Sequence, residues 1–153
     1  MWIRSMKYNP APVVRNLLPK DDSAAVLHDE SVVSPPLVGR IRDGLPFSEF
    51  RALLELLAIP EVDLGRLLGI SPATLNRRKN ARRLGTLESE RVVRFGRLFG
   101  IAMEVLGTEE AAREWLKIPN PGTGGESPLS YADTEFGARE VENVLGRLDH
   151  GVF

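Results

Sequence analysis

The 153 residues contain no cysteine and only two histidines. The first absence removes disulfides, thiolate metal sites and a cysteine nucleophile together. Aromatic residues make up 7% of the chain, and no apolar run approaches the ~20 residues that a membrane-spanning helix needs. The opening residues Met1-Trp2-Ile3-Arg4-Ser5 lack the apolar centre of a secretory signal, so the composition predicts a cytoplasmic protein with no membrane partner. Strand signals are scarce too, because alternating β-branched stretches are nearly missing. What remains is 42% hydrophobic and 27% charged, the composition of a folded, helix-rich chain.

Net charge is −1, but it is unevenly spread. Between Arg66 and Arg97 stand nine cations (Arg66, Arg77, Arg78, Lys79, Arg82, Arg83, Arg91, Arg94, Arg97) and two acids, Glu88 and Glu90. That segment therefore carries +7 and the remainder −8, which predicts a local anion-binding surface on an acidic protein.

Helical periodicity organises the rest. Residues 1–30, with Pro10, Pro12 and Pro19, read as a mobile or loosely docked arm. A short helix is predicted at Leu37–Arg42. Pro46–Ala58 is predicted as a second, with Phe47, Phe50, Leu53, Leu54 and Leu57 on one face. Pro60 opens a third, which ends at Gly69, and Ser71-Pro72 restarts the chain as cap and first helical residue. A long helix is expected from Thr86 to Leu106, burying Val92, Phe95, Leu98, Phe99, Ala102 and Val105. Its apolar surface exceeds what a small core consumes, which predicts a part in dimerisation. Thr108 caps a short acidic-start helix, Ile118–Ser127 is a turn-rich connector, and Asp133-Thr134-Glu135 starts a last helix running to about Asp149. There Gly137 and Ala138 permit a close approach. The fold class is all-α: residues 31–107 form a DNA-binding and dimerisation domain, and residues 108–153 a small helical second domain.

Glu61–Leu68, Gly69-Ile70-Ser71 and Pro72–Asn80 have the layout of a helix-turn-helix. Gly69 suits a left-handed turn and Gly65 a close crossing, with Leu64, Leu68, Ile70 and Leu75 as the wedge. On the second helix Ala73, Asn76, Arg77 and Asn80 share a stripe opposite Leu75, beside Thr74. Asn and Arg there suit bidentate contacts to adenine and guanine edges. Arg78, Lys79, Arg82 and Arg83 suit phosphates, which position rather than specify. One half-site reads few bases, so a homodimer on operator DNA is expected.

The second half adds Trp115-Leu116, Pro119-Asn120, Ser127-Pro128, Asp133-Thr134-Glu135-Phe136-Gly137-Ala138-Arg139-Glu140-Val141-Glu142 and the ending Leu145-Gly146-Arg147-Leu148-Asp149-His150-Gly151-Val152-Phe153. With Thr74–Lys79 and the long helix, this ordered series resembles the Xre/MbcA/ParS antitoxin family over residues 45–153. Thr123 and Tyr131-Ala132 depart from its pattern, where an apolar residue and leucines are commoner. The resemblance implies a type II toxin–antitoxin pair whose partner is an RES-domain toxin that degrades NAD⁺. It also implies a C-terminal domain covering the toxin's active-site cleft, repression of the shared operon, and a homodimer assembling with toxin into a hetero-oligomer. Phe136, Arg139, Glu140, Asn143, Arg147, His150, Gly151, Val152 and Phe153 are the expected toxin-binding residues. Read without the family, the tail pairs an apolar anchor with an anion, which suits a basic pocket on a partner.

Two other classes compete with this reading. One is a stand-alone regulator whose C-terminal helices only dimerise. The other is an enzyme, but neither His28 nor His150 stands in a nucleophile–base spacing, and phosphate loops and metal-ligand clusters are missing. No catalytic residue, metal or cofactor is expected.

Overall fold

The computed structural model describes residues 13–17 and 35–151. Among these residues all regular elements are helical, joined by a single antiparallel bridge between Pro46 and Arg83. In chain order they are α1 (Val13–Asn16), α2 (Pro35–Asp43), α3 (Phe47–Leu57), α4 (Glu61–Leu67), α5 (Pro72–Ala81), α6 (Thr86–Leu106), α7 (Glu109–Lys117), a 3-10 turn at Pro121–Thr123, α8 (Pro128–Tyr131) and α9 (Glu135–Asp149). No helix among the described residues is long and apolar enough to cross a membrane.

Short polar side chains start four of these helices. Ser71, Thr108, Ser127 and Thr134 each accept a hydrogen bond from the backbone N–H three residues on, satisfying donors that the first turn leaves orphaned. Helix α6 begins differently. The Glu88 carboxylate reaches back to accept from the Gly85 N–H at 2.5 Å, the return half of a capping box. Ser89, wholly buried, donates to Gly85 O at 2.7 Å and accepts from the Leu45 N–H at 2.8 Å, tying the start of α6 to the start of α3.

Helix α6 is the centre of the molecule. Its Val92, Phe95, Leu98, Phe99 and Ala102 are fully buried, and α1, α2, α3, α7 and α9 all pack against it. Val105, expected in that stripe, is only partly covered. Ile101, Met103 and Leu106 are likewise only partly covered, and Leu87 near the start of the helix is exposed. One continuous core runs from Val13 to Leu145. Helices α7 and α9 fold back onto α6, so the segments on either side of Gly107 share this core.

Most of the segment expected to be an arm lies outside the described residues. The described part is docked: Val13, Val14 and Leu17 are at most 4% exposed. Each such side chain contributes about 1.5–3 kcal/mol when fully buried, enough to hold a four-residue helix that would not form alone. Two departures from family pattern also fit. Ala132 is fully buried, and buried Thr123 bonds its hydroxyl to the Asn120 and Glu126 carbonyls at 3.0 and 2.6 Å.

The close approach expected at Gly137 is made by the end of α8. A Cβ there would collide with the backbone carbonyl of Tyr131, whereas one at Gly146 would meet nothing within 4 Å. Gly137→Ala should therefore lower unfolding free energy by ~3 kcal/mol or more, since backbone cannot swing aside as a side chain can. Gly146→Ala should raise it by about 0.5–1 kcal/mol. Urea unfolding followed by circular dichroism reads both, and equal midpoints for the two variants would contradict this packing.

Candidate functional site

Two surfaces emerge. The first is the helix-turn-helix of α4 and α5. Gly69 takes φ +69, the left-handed turn expected of it. Gly65 is less tightly placed than expected. Its carbonyl accepts from the Ile70 N–H at 2.7 Å, but a Cβ would meet Ile70 O and Leu75 at 3.4 and 3.5 Å, ordinary contact. Leu64, Leu68, Ile70 and Leu75 are buried as the wedge. Successive helical residues turn by ~100°, so Ala73, Asn76, Arg77 and Asn80 fall on one stripe opposite Leu75. All four are exposed. Thr74 is half-buried and engaged with the Ser71 cap.

The cations around that stripe divide into two groups. Arg77 and Arg82 are exposed and make no ion pair among the described residues. Arg78, Lys79 and Arg83 are engaged within the chain. Arg78 Nε lies 2.9 Å from Glu88 Oε2, and Lys79 Nζ lies 2.6 Å from Glu61 Oε1. Arg83 donates to the Asp43 and Gly44 carbonyls at 3.0 and 3.2 Å. The ion pair of Arg78 with Glu88 bolts α5 to the first turn of α6. Glu88 thus serves two roles that sequence reasoning missed, although Gly85-x-x-Glu88 is a readable capping signal.

The C-terminal part of the basic segment does not join this surface. Arg91 donates to Leu68 O at 2.7 Å. Arg94, only 8% exposed, bonds both oxygens of Glu90 at 2.9 and 3.0 Å, lies 3.3 Å from Glu135 and donates to Asp133 O at 3.1 Å. Arg97 pairs with Glu142 at 2.7 Å and Glu135 at 3.6 Å. Three of the nine cations therefore hold the helix-turn-helix and α9 to α6, and the surface charge near α5 is smaller than the sequence count.

The second surface is the outer face of α9. Gly137, Ala138, Val141, Val144 and Leu145 face inward. Phe136, Arg139, Glu140, Asn143, Arg147 and His150 lie on the opposite side, and all are exposed. Phe136 stands out at 83% exposure for an aromatic ring. Arg139 lies 3.8 Å from Glu135, and Asn143 donates to Glu140 at 3.3 Å. Arg147 makes no ion pair among the described residues. Gly151 takes φ +67 just past the helix. Val152 and Phe153 lie outside the described residues.

The chain matches two family models: an antitoxin Xre-like helix-turn-helix domain over residues 36–97, and the antitoxin Xre/MbcA/ParS C-terminal toxin-binding domain over residues 102–151. It is 36% identical over 119 residues to an Antitoxin Xre of Yersinia enterocolitica, covering 76% of this chain and 80% of the relative. The chain belongs to the Xre/MbcA/ParS antitoxin family. An Antitoxin Xre of Photorhabdus laumondii is 32% identical over 120 residues, 77% of this chain and 81% of the relative. A protein of Sphingobium sp. named Prs ADP-ribosylating antitoxin is 26% identical over 126 residues, 76% and 79% of the two chains. The first surface lies in the helix-turn-helix domain and the second in the toxin-binding domain. No catalytic family matches among these, and no three His, Asp or Glu among the described residues could hold a metal.

Both family domains meet in α6, so this antitoxin depends on the pairs that cross it. Arg94→Ala should cost about 3 kcal/mol, because it strands two carboxylates and a carbonyl beside a buried gap. Half-exposed Glu135 regains some water, which keeps the loss below the fully buried limit. Thermal unfolding would check it; an unchanged midpoint would mean that the network contributes nothing.

Proposed function

We propose that this antitoxin neutralises an RES-domain toxin that degrades NAD⁺, by laying the outer face of α9 and the following tail over the toxin's active-site cleft. We propose further that it represses its own operon as a homodimer, with α5 in the major groove, and assembles with toxin into a hetero-oligomer. The observation that carries the first reading is the unpartnered stripe from Phe136 to His150, with an aromatic ring 83% exposed at its head. Isolated exposed aromatics of this kind are typical interface anchors. An NAD⁺ cleft must accept flat rings and a pyrophosphate, and the stripe offers one flat ring and the Glu140 carboxylate. The name of the Sphingobium relative supports a variant in which the toxin transfers ADP-ribose to a protein. Both chemistries break the nicotinamide–ribose bond of NAD⁺, so one cleft-covering mode serves either.

Co-expression with the neighbouring open reading frame, followed by NAD⁺ assays on the purified toxin titrated with antitoxin, tests this. Phe136→Ala and Arg147→Glu should each weaken inhibition about 30-fold, the ~2 kcal/mol of an interface anchor, with circular dichroism unchanged. A chain ending at Asp149 should lose inhibition as well. Full inhibition by all three variants would remove the stripe and tail from the interface. Free ADP-ribose among the products indicates hydrolysis, and a mass gain on a protein indicates transfer. Loss of neither NAD⁺ nor growth would overturn the toxin assignment.

For the operator, Asn76, Arg77 and Asn80 are the proposed base-reading side chains, with Ala73 against the groove floor. Arg82 is the cation free to reach phosphate, while Thr74, Arg78, Lys79 and Arg83 chiefly hold the reading helix in place. Arg77→Ala should cost ~1–3 kcal/mol in operator affinity and relax base preference. Arg82→Ala should weaken all sequences alike and flatten the salt dependence. Fluorescence anisotropy over a salt series separates the two; unchanged operator affinity for Arg77→Ala would sink the groove assignment.

A further inference from the structure

Two arginines that precede the basic segment in sequence lie beside α5 in space. Arg42, at the end of α2, and Arg51, on α3, are exposed and make no ion pair among the described residues. Helix spacing offers Arg51 a carboxylate at Glu55, four residues on. Glu55 lies 3.7 Å from Arg15 of α1 instead, and the Arg51 guanidinium stands over the Phe47 ring, 5.6 Å from its centre. That ring is buried and stacks on Phe50 at 4.9 Å, so it makes a fixed platform. Leu75 marks the inward line of α5, and Arg78 and Lys79, three and four residues later, fall on opposite sides of it. Lys79 turns toward α4, where it pairs with Glu61 at 2.6 Å, and both line a cavity of about 300 Å³ shared with Arg51. Arg78 turns toward α6, where it pairs with Glu88. On that side the Thr86 hydroxyl donates to the Arg42 carbonyl at 2.8 Å, and Arg83 donates to the Asp43 carbonyl at 3.0 Å. Arg42 thus borders α5 on one side and Arg51 on the other.

We infer that Arg42 and Arg51 grip the phosphate backbone of operator DNA, one on each strand bordering the groove that α5 enters. The inference rests on the major-groove reading proposed above and extends the contact beyond the helix-turn-helix. The major groove is about 12 Å wide, and a helix with its side chains is about 10–12 Å across. An inserted α5 fills that width, so the phosphates on either side are met by whatever flanks it. Glu61 and Glu88 stand on those flanks, but each is neutralised by a cation of α5 and neither opposes an approaching phosphate. A guanidinium suits the role, because its planar fork meets two phosphate oxygens at once. Neither contact reads a base. The pair fixes where α5 sits and leaves base choice to Asn76, Arg77 and Asn80.

The test compares Arg42→Ala, Arg51→Ala and Arg77→Ala with the unaltered chain, over a salt series, on two fluorescent duplexes of equal length. One duplex is the chain's own promoter and the other an unrelated sequence; circular dichroism confirms folding. Loss of one phosphate contact should weaken binding to both duplexes about 8-fold at ~0.1 M salt and lower the slope of log affinity against log salt by ~0.9. Arg42→Ala and Arg51→Ala should each do so. Arg42→Lys and Arg51→Lys, which keep the charge, should keep the slope. Unchanged slopes for Arg42→Ala and Arg51→Ala beside a weakened Arg77→Ala would overturn the inference and leave the groove reading intact. A lower slope for only one of the two would overturn the placement on both strands. Equal loss in the lysine variants would mean that the arginines act through packing, which overturns it too. If Arg77→Ala also binds the promoter unchanged, the groove reading fails and the inference falls with it.

Discussion

Arg94 is nine-tenths buried, and a guanidinium in that position must find acceptors within the chain, because leaving it unpaired would cost several kcal/mol. It finds one on its own helix, Glu90, and the rest at the start of α9, in Glu135 and the Asp133 carbonyl. That requirement fixes where the C-terminal helix docks and in what orientation. With α9 placed, its apolar side is spent against α6 and α8, and its other side can face only outward. The exposed stripe on α9 is thus a consequence of how a buried cation is satisfied.

The same helix that carries Arg94 also carries Glu88, and the two act at opposite sides of one rigid rod. Glu88 holds Arg78 and so fixes α5; Arg94 and Arg97 hold α9. The exposed faces of α5 and α9 are thus both held to a single 21-residue helix. The ion pairs involved are mostly half-buried, where attraction is less screened by water than at a free surface. This arrangement gives each surface a definite pose without a large core in either half.

Basic residues counted along a sequence overstate the number of cations left free at the surface. Of the nine cations between Arg66 and Arg97, seven have a pairing or hydrogen-bonding partner inside the chain, and Arg77 and Arg82 project freely. Arg82 adopts φ +58, a conformation that costs a non-glycine residue ~1–2 kcal/mol. Its carbonyl accepts from the Phe47 N–H at 3.1 Å, so the loop after α5 is stitched to the start of α3.

Local chemistry was enough to determine the elements themselves. Caps at Ser71 and Thr108, the left-handed turn at Gly69, the span Thr86–Leu106 and the inward and outward faces of α5 and α9 all follow from residue types at helical spacing. The family followed too, because its motif lies in consecutive residues. What neighbours along the chain could not determine were pairings across it. Nothing local to Arg94 says that its carboxylate lies on a helix 41 residues later, and nothing local to Glu49 says that its partners are amides 35 and 36 residues earlier. Nor does the stripe on α6 say how many helices will share it. Periodicity reports which face of a helix avoids water; only tertiary packing decides what covers that face, and which charges are used up in doing so.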